Sequence, residues 1–207
     1  MTSSGRVALF DFDGTLTTVE TFPLFVRFAA PRWRAWLGTL ILAPLVLAYR
    51  AGYVSGVTVR AAVTWVAFRG LPEARLHSAA RAFVDQRLPA LLRGEMLAYM
   101  RECRDRGDRV AVVSGNFDAL LRPWCEAEGV ELLASALESR NGRLTGWYSG
   151  QQCVGEGKVD RIRGILCTMT PERIEAHGDT EEDLPMLAMA GIATYRGLPW
   201  PAPAAVR

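Results

Sequence analysis

Three short strand-like runs, each broken by a polar residue, limit what this chain can fold into. Residues 7–10 end at Asp11, residues 110–113 at Ser114, and residues 174–177 at Gly178-Asp179. Runs that are short, uninterrupted and partly β-branched are expected of strands buried on both faces of a parallel sheet. A fourth run, 192–195, follows Gly191, and helical spacing fills the intervals at 95–106, 117–128, 158–166 and 184–190. This alternation predicts an α/β fold built on a Rossmann-like parallel sheet. Asn141-Gly142, between two strand-like runs within 132–148, predicts a hairpin. The tail from Leu198, which holds Pro199, Pro201 and Pro203, reads as irregular.

Between the first two strands the pattern changes. From Glu20 to about Arg93 the spacing is helical with no clear strand, so an α-helical insertion is expected above the carboxyl edge of the sheet, where open α/β folds bind ligands. The predicted division is a core of residues 1–18 and 94–207 and a helical cap of residues 19–93.

Charge separates the same two parts. Net charge is only +2, and no Lys/Arg-rich run is present, which argues against nucleic-acid binding. Residues 21–72 contain no acid but do contain Arg27, Arg32, Arg34, Arg50, Arg60 and Arg69, so the segment carries +6 and the remainder is acidic. The basic residues are 23 arginines and a single lysine, Lys158. A compact ammonium is not interchangeable with a guanidinium, so the exception marks a position to examine.

Cys103, Cys125, Cys153 and Cys167 form no C-x-x-C pair, and His77 and His177 are the only histidines available to complete a zinc site. Buried free thiols are expected. The first apolar run is cut short by Asp11, leaving no visible signal peptide, so the expected location is the cytoplasm. His177 reads as a packed strand residue.

In a parallel sheet Asp11, Ser114 and Asp179 come to one edge, and Lys158 opens a helix able to return there. Asp11 and Asp13 are two residues apart, which places both carboxylates on one side of extended chain, and Gly14 permits the turn that follows. Singly, each acid is the kind of residue that ends a strand or caps a helix. Together, paired carboxylates with a lysine suggest phosphoryl transfer. Two like charges about 4 Å apart repel by roughly 4 kcal/mol at an effective dielectric of 20, so attack on a phosphate calls for a divalent cation and a lysine. Gly155-x-Gly157-Lys158 is not a P-loop, because Gln152 stands where that motif has its first glycine and Val159 follows the lysine.

Over nearly its whole length the sequence resembles the haloacid dehalogenase superfamily of phosphatases, in the branch that includes phosphoserine phosphatase. The motifs are Asp11-Phe12-Asp13-Gly14-Thr15, Ser114 after an apolar strand, Lys158 within Gly155-Glu156-Gly157-Lys158, and Gly178-Asp179-Thr180-Glu181-Glu182-Asp183. The resemblance implies a core fold with a helical cap inserted after the first motif. It also implies Asp11 as the nucleophile forming an aspartyl-phosphate, and Asp13 as the acid and later the base. Mg²⁺ would be held by Asp11, the backbone carbonyl of Asp13 and Asp179, with Asp183 holding the metal's waters or Lys158. Ser114 and the backbone N–H groups of Gly115 and Asn116 would bind phosphate. Glu20 and Arg60 fall roughly where phosphoserine phosphatases keep an acid and an arginine for substrate.

The cap speaks for a different substrate. Residues 36–49 are apolar nearly all round, rise only about 22 Å as helix counting Ala35, and contain Pro44, which is expected to kink them. Such a segment, too short to span a bilayer, with Trp33, Trp36 and arginines at its ends and no acids, has the composition of a helix lying on an anionic membrane surface. A buried helix pair or a homodimer interface through the cap is the competing reading. The cap resembles that of bacterial relatives acting on phosphatidylglycerophosphate. The expected function is therefore Mg²⁺-dependent hydrolysis of a hydrophobic or lipid phosphate monoester. A soluble metabolite such as phosphoserine, and a non-catalytic partner-binding protein, stand as alternatives.

Overall fold

The computed structural model describes residues 5–167 and 169–200. Six strands form one sheet in the order β3-β2-β1-β6-β7-β8. They are β1 (Arg6–Phe10), β2 (Arg109–Phe117), β3 (Glu131–Ser135), β6 (Arg173–Gly178), β7 (Ile192–Tyr195) and β8 (Leu198–Trp200). All neighbours run parallel except β7 and β8. The chain builds outward from β1 through β2 to β3, then returns to the other side of β1 with β6. The order therefore reverses between β1 and β6, and Asp11 and Asp179 follow those two strands. Ligands in open α/β sheets bind at such a reversal.

Side-chain alternation divides the interior in two. Ala8, Phe10, Val110 and Val112 face one core, while Val7, Leu9, Ala111 and Val113 face another, filled by Ile162 of α7 (Glu156–Leu166) and Met186 and Leu187 of α8 (Leu184–Leu187). Burial on both faces explains why β1 and β2 read as unbroken apolar runs.

Four helices lie between β1 and α5 (Gly94–Asp105): α1 (Thr21–Ala29), α2 (Arg32–Arg50), α3 (Gly56–Phe68) and α4 (Glu73–Gln86). The strands of chain entering and leaving this insertion run side by side, with Thr18 N–H donating to the Leu91 carbonyl at 2.9 Å. Phe22 and Phe25 of α1, Phe68 of α3 and Phe83 of α4 join the first core, where the first three pack around Phe117, Phe83 packs on Phe25, and α4 lies against α6 (Asp118–Glu128). Helix α2 differs, since only Gly38 of its 19 residues is buried. It runs through Pro44 as one helix, and the Leu40 carbonyl that loses its donor lies on an exposed part of it. Helix α2 thus packs on α3 through Gly38 while leaving most of its side chains at the surface.

The hairpin expected at Asn141-Gly142 forms, as β4 (Leu137–Arg140) and β5 (Arg143–Tyr148), with Asn141 and Gly142 both at positive φ; residues 131–135 pair with β2. Two other expectations need correction. Leu198–Trp200 form β8, an edge strand whose Pro199 needs no ladder donor on its open side, rather than an irregular segment. Pro201 and Pro203 lie outside the described residues. Of the cysteines, Cys103, Cys125 and Cys153 are buried thiols, but Cys167 is exposed.

Candidate active site

The loop after β1 is shaped by its own backbone. Gly14 adopts φ +83°, and a Cβ there would collide with the Asp179 carboxylate. Thr17 closes the turn: its N–H donates to the Phe12 carbonyl at 3.0 Å, and its hydroxyl accepts from Gly14 N–H at 3.1 Å. The turn thus puts the first motif against the fourth. At the end of β2 the ladder slips between Ser114 and Phe117, so Gly115 and Asn116 bulge out of the sheet toward Asp13.

These loops bring the expected residues together. Asp11, Asp13, Glu20, Arg60, Ser114, Gly115, Asn116 and Lys158 line one small pocket, joined by Phe22, Thr180 and Glu182. Lys158, 2% exposed, lies with its Nζ 2.5 Å from both Asp11 Oδ1 and Asp183 Oδ1. The other oxygen of Asp183 accepts from the N–H groups of Asp179 (3.1 Å) and Thr180 (2.9 Å) and from the Thr180 hydroxyl. Asp183 therefore fixes both Lys158 and the loop carrying Asp179.

Asp13 is held from two sides. Thr21 donates to its Oδ1 through both N–H (2.8 Å) and hydroxyl, and Asn116 Nδ2 donates to its Oδ2 at 3.0 Å and to the Thr21 hydroxyl at 2.9 Å. The Asn116 side chain thus orients an acid, a contact the sequence reading, concerned with its backbone N–H, leaves out. Thr21 and Glu182 are likewise missed, and position offers the only clue to them: Thr21 opens α1 directly after Glu20, and Glu182 sits inside the fourth motif. Ser114 is buried, and its hydroxyl accepts from Asn116 N–H at 3.1 Å. Arg60 reaches over this loop because position 115 has no side chain, since a Cβ there would lie 2.7 Å from Arg60 Nη1. Arg60 also pairs with Glu182 at 3.1 Å.

Burial governs the titration of the cluster. It pushes Asp11 well above the usual carboxylate range, against the pull of Lys158. Asp13 is raised by burial despite its bonds from Thr21 and Asn116, and Asp179 by burial and the charge of Asp183. For Lys158 burial works against the ammonium, but Asp11 and Asp183 outweigh it and hold the pKa above its ordinary value. Glu20 is exposed along much of its length, yet partial burial and the nearby Asp13 charge push its carboxyl up to about 7.

A hard cation fits this site. Asp11, Asp179 and Asp183 offer carboxylate oxygens within 4.8 Å of one another. Asp179 Oδ1 is buried without a hydrogen-bond partner, and an all-oxygen donor set suits Mg²⁺. His177 lies outside this cluster. Buried against Phe10, it bonds Thr194 at 2.7 Å and Glu175 at 2.9 Å, as a packed strand residue does.

Known proteins are similar to this chain in sequence and fold. The family model of haloacid dehalogenase-like hydrolases matches residues 8–188. The chain is 34% identical over 196 residues to Protein CicA of Caulobacter vibrioides (strain NA1000 / CB15N), covering 92% of this chain and 86% of that protein. It is 34% identical over 189 residues to a phosphoserine phosphatase of Halobacterium salinarum, covering 89% and 82% respectively. A crystal structure of a protein from Bordetella pertussis Tohama I superposes with a TM-score of 0.78 at 23% identity, over 92% of this chain and 89% of that one. The chain belongs to the haloacid dehalogenase-like hydrolase family, as a phosphatase.

Proposed function

We propose that this phosphatase is Mg²⁺-dependent, works through a phosphorylated Asp11, and takes phosphate monoesters with a hydrophobic, lipid-like body at a membrane surface. The Asp11 carboxylate attacks phosphorus and the ester P–O bond breaks. Asp13, whose pKa burial raises and whose carboxyl Thr21 and Asn116 aim, gives its proton to the leaving oxygen. Asp13 then takes a proton from water as that water attacks the aspartyl-phosphate, which frees Asp11 and inorganic phosphate. Lys158 offsets charge between nucleophile and phosphate, while Ser114 and the backbone N–H groups of Gly115 and Asn116 receive the phosphate oxygens. Asp11, Asp179 and the Asp13 carbonyl would hold Mg²⁺, with Asp183 behind them. When bound, the ion supplies positive charge to the carboxylates and the phosphate.

The outer face of α2 carries the substrate reading. Trp36 is 77% exposed and Leu40 71%, and Trp33, Leu37 and Ile41 stand beside them on a segment that contains arginines but no acid. An apolar stripe flanked by positive charge suits the interface of an anionic bilayer. Among the described residues no helix is long and apolar enough to cross a membrane, so contact would be peripheral. A second reading, a small soluble substrate such as phosphoserine, is supported by Glu20 and Arg60 both lining the pocket.

Phosphate release across a panel of soluble metabolites and lipid phosphates, with flotation on vesicles with and without anionic lipid, separates the two. Lipid turnover and flotation that depends on anionic lipid support the proposal. Turnover of phosphoserine alone, with no flotation, overturns it.

A further inference from the structure

We propose that the groove between α2 and helices α1 and α3 is the binding site for the substrate's hydrocarbon chain, drawn from the bilayer on which α2 rests. This rests on the lipid-phosphate reading above and extends it to named residues.

The groove has a volume of ≈ 1190 Å³ and is lined mainly by apolar groups, among them Phe22 and Val26 of α1, Leu42 and Val46 of α2, and Val63 and Val66 of α3. Ligand pockets for small molecules usually measure about 300–1,000 Å³ and are lined mainly by apolar side chains with a few placed polar groups. One end of the groove is formed by Glu20, Phe22, Arg60, Thr180 and Glu182, and these same residues line the catalytic pocket. The groove therefore adjoins the place where the phosphate must sit, separated from it by the Arg60–Glu182 pair. A monoester with its phosphorus at Asp11 has its leaving group directed toward this shared mouth.

Helix α2 bears apolar residues on two faces. Gly38, Leu42 and Val46, spaced by four, face the groove. Trp33, Trp36, Leu37, Leu40 and Ile41 stand exposed. Helix α2 rests on α3 where Gly38 meets Val66, and of its 19 residues Gly38 is the one buried, so much of both apolar faces stays uncovered by protein. A bilayer covers the outer face, and a chain entering from it covers the inner one. Arg27, Arg34 and Arg50 border the groove without an acid between residues 21 and 72, a charge pattern complementary to anionic headgroups.

The test fills the groove without touching the chemistry. Ala43 lines the groove and is exposed, so Ala43→Trp adds bulk at little packing cost; Leu42→Gln is the second variant, adding polarity instead. Turnover is measured with Mg²⁺ on three probes: dioleoyl phosphatidic acid in phosphatidylglycerol vesicles, dihexanoyl phosphatidic acid as dispersed monomer, and p-nitrophenyl phosphate. Both variants are expected to lose at least tenfold in kcat/KM on the vesicle lipid and to stay within twofold on the aryl phosphate, with vesicle flotation unchanged. A smaller loss on dihexanoyl than on dioleoyl lipid places the effect on the chain and its bilayer source. Unchanged dioleoyl turnover in both variants overturns the groove while leaving the lipid-phosphate reading intact. Wild-type protein that hydrolyses p-nitrophenyl phosphate but neither lipid overturns both.

Discussion

Lys158 and Asp11 form an ion pair across 147 residues of sequence, Nζ to Oδ1 at 2.5 Å, with both side chains almost sealed from solvent. The same ammonium serves Asp183. Two carboxylates share one compact cation, so the site tolerates neither its loss nor its widening. Lys158→Arg keeps the charge but spreads it over a planar fork that does not fit between them. Turnover of an aryl phosphate is expected to fall by about 100-fold or more, the scale of losing one preorganised contact to developing charge. Lys158→Met goes further and leaves two buried carboxylates uncompensated. Denaturant unfolding is expected to register a loss of about 3–5 kcal/mol at pH 7. Near-normal activity in the arginine variant would make the lone lysine a coincidence.

Arg60 and Glu182 close the mouth over a pocket of only ≈ 20 Å³, room for about one water molecule. A phosphate group enters only when they part. Helix α3 is tied to β5 by Thr64 and Tyr148 at 3.2 Å and to the loop before α7 by Gln152 Nε2, which donates to the Val57 carbonyl at 2.9 Å. Parting the side chains is thus the smallest opening movement. The pair is partly exposed, at 23% and 36%, so its contribution is within about 1 kcal/mol. Glu182→Gln is expected to leave the unfolding midpoint nearly unchanged and to raise kcat/KM by a few-fold through easier entry. A fall of tenfold or more would show that Glu182 serves the chemistry rather than the gate.

Much of this was legible in the residues, for identifiable reasons. The strands before Asp11, Ser114 and Asp179 are buried on both faces, so their sequences carry a strong signal, and the parallel sheet then delivers the three residues to one edge. Lys158 could be singled out because it is the only lysine. Contacts that depend on the angle between elements were not legible. The grip of Thr21 and Asn116 on Asp13 requires the start of α1 to meet the bulge after β2, and Glu182 finds Arg60 only because α3 lies over the fourth motif. The unusual position of α2 was also hidden, because an apolar segment reads alike whether its faces meet protein, lipid or a groove. Pro199 misled for a local reason: an edge strand accepts a proline that an interior strand would not.

Glu20 provides a titration to watch. Partial burial and the neighbouring Asp13 charge raise its pKa to about 7 in the metal-free protein. A folded-state pKa above the unfolded value of 4.5 means that the folded state binds the extra proton between those two values. Stability from this group is therefore present at low pH and lost as pH rises through about 7. Glu20→Gln is expected to flatten that part of the melting-temperature profile. Carbon-13 NMR of labelled glutamate should show one carboxyl titrating near 7, moving to lower pH on adding Mg²⁺, because a cation among Asp11 and Asp179 opposes the surrounding negative charge. A carboxyl titrating below 5 in the metal-free protein would contradict this.

Gly14 tests the metal site from the backbone. Its φ of +83° is strained for any other residue, and an added Cβ would fall on the Asp179 carboxylate, whose Oδ1 is buried and unpartnered. Gly14→Ala must either straighten the turn, moving Asp13 away from Thr21, or push Asp179 away from Asp11. Each movement separates the oxygens that would hold Mg²⁺. Calorimetric titration is expected to show Mg²⁺ affinity weakened at least tenfold, with phosphatase activity falling in parallel. Unfolding should lose about 1–3 kcal/mol, as expected for a non-glycine residue forced into this region. The distinguishing comparison is Asp179→Asn, which leaves the turn and its strain alone but replaces one charged donor by a neutral amide. If the site is as described, Asp179→Asn loses Mg²⁺ binding with little change in stability, while Gly14→Ala loses both. A Gly14→Ala protein that binds Mg²⁺ normally would show that the turn does not set the position of Asp179.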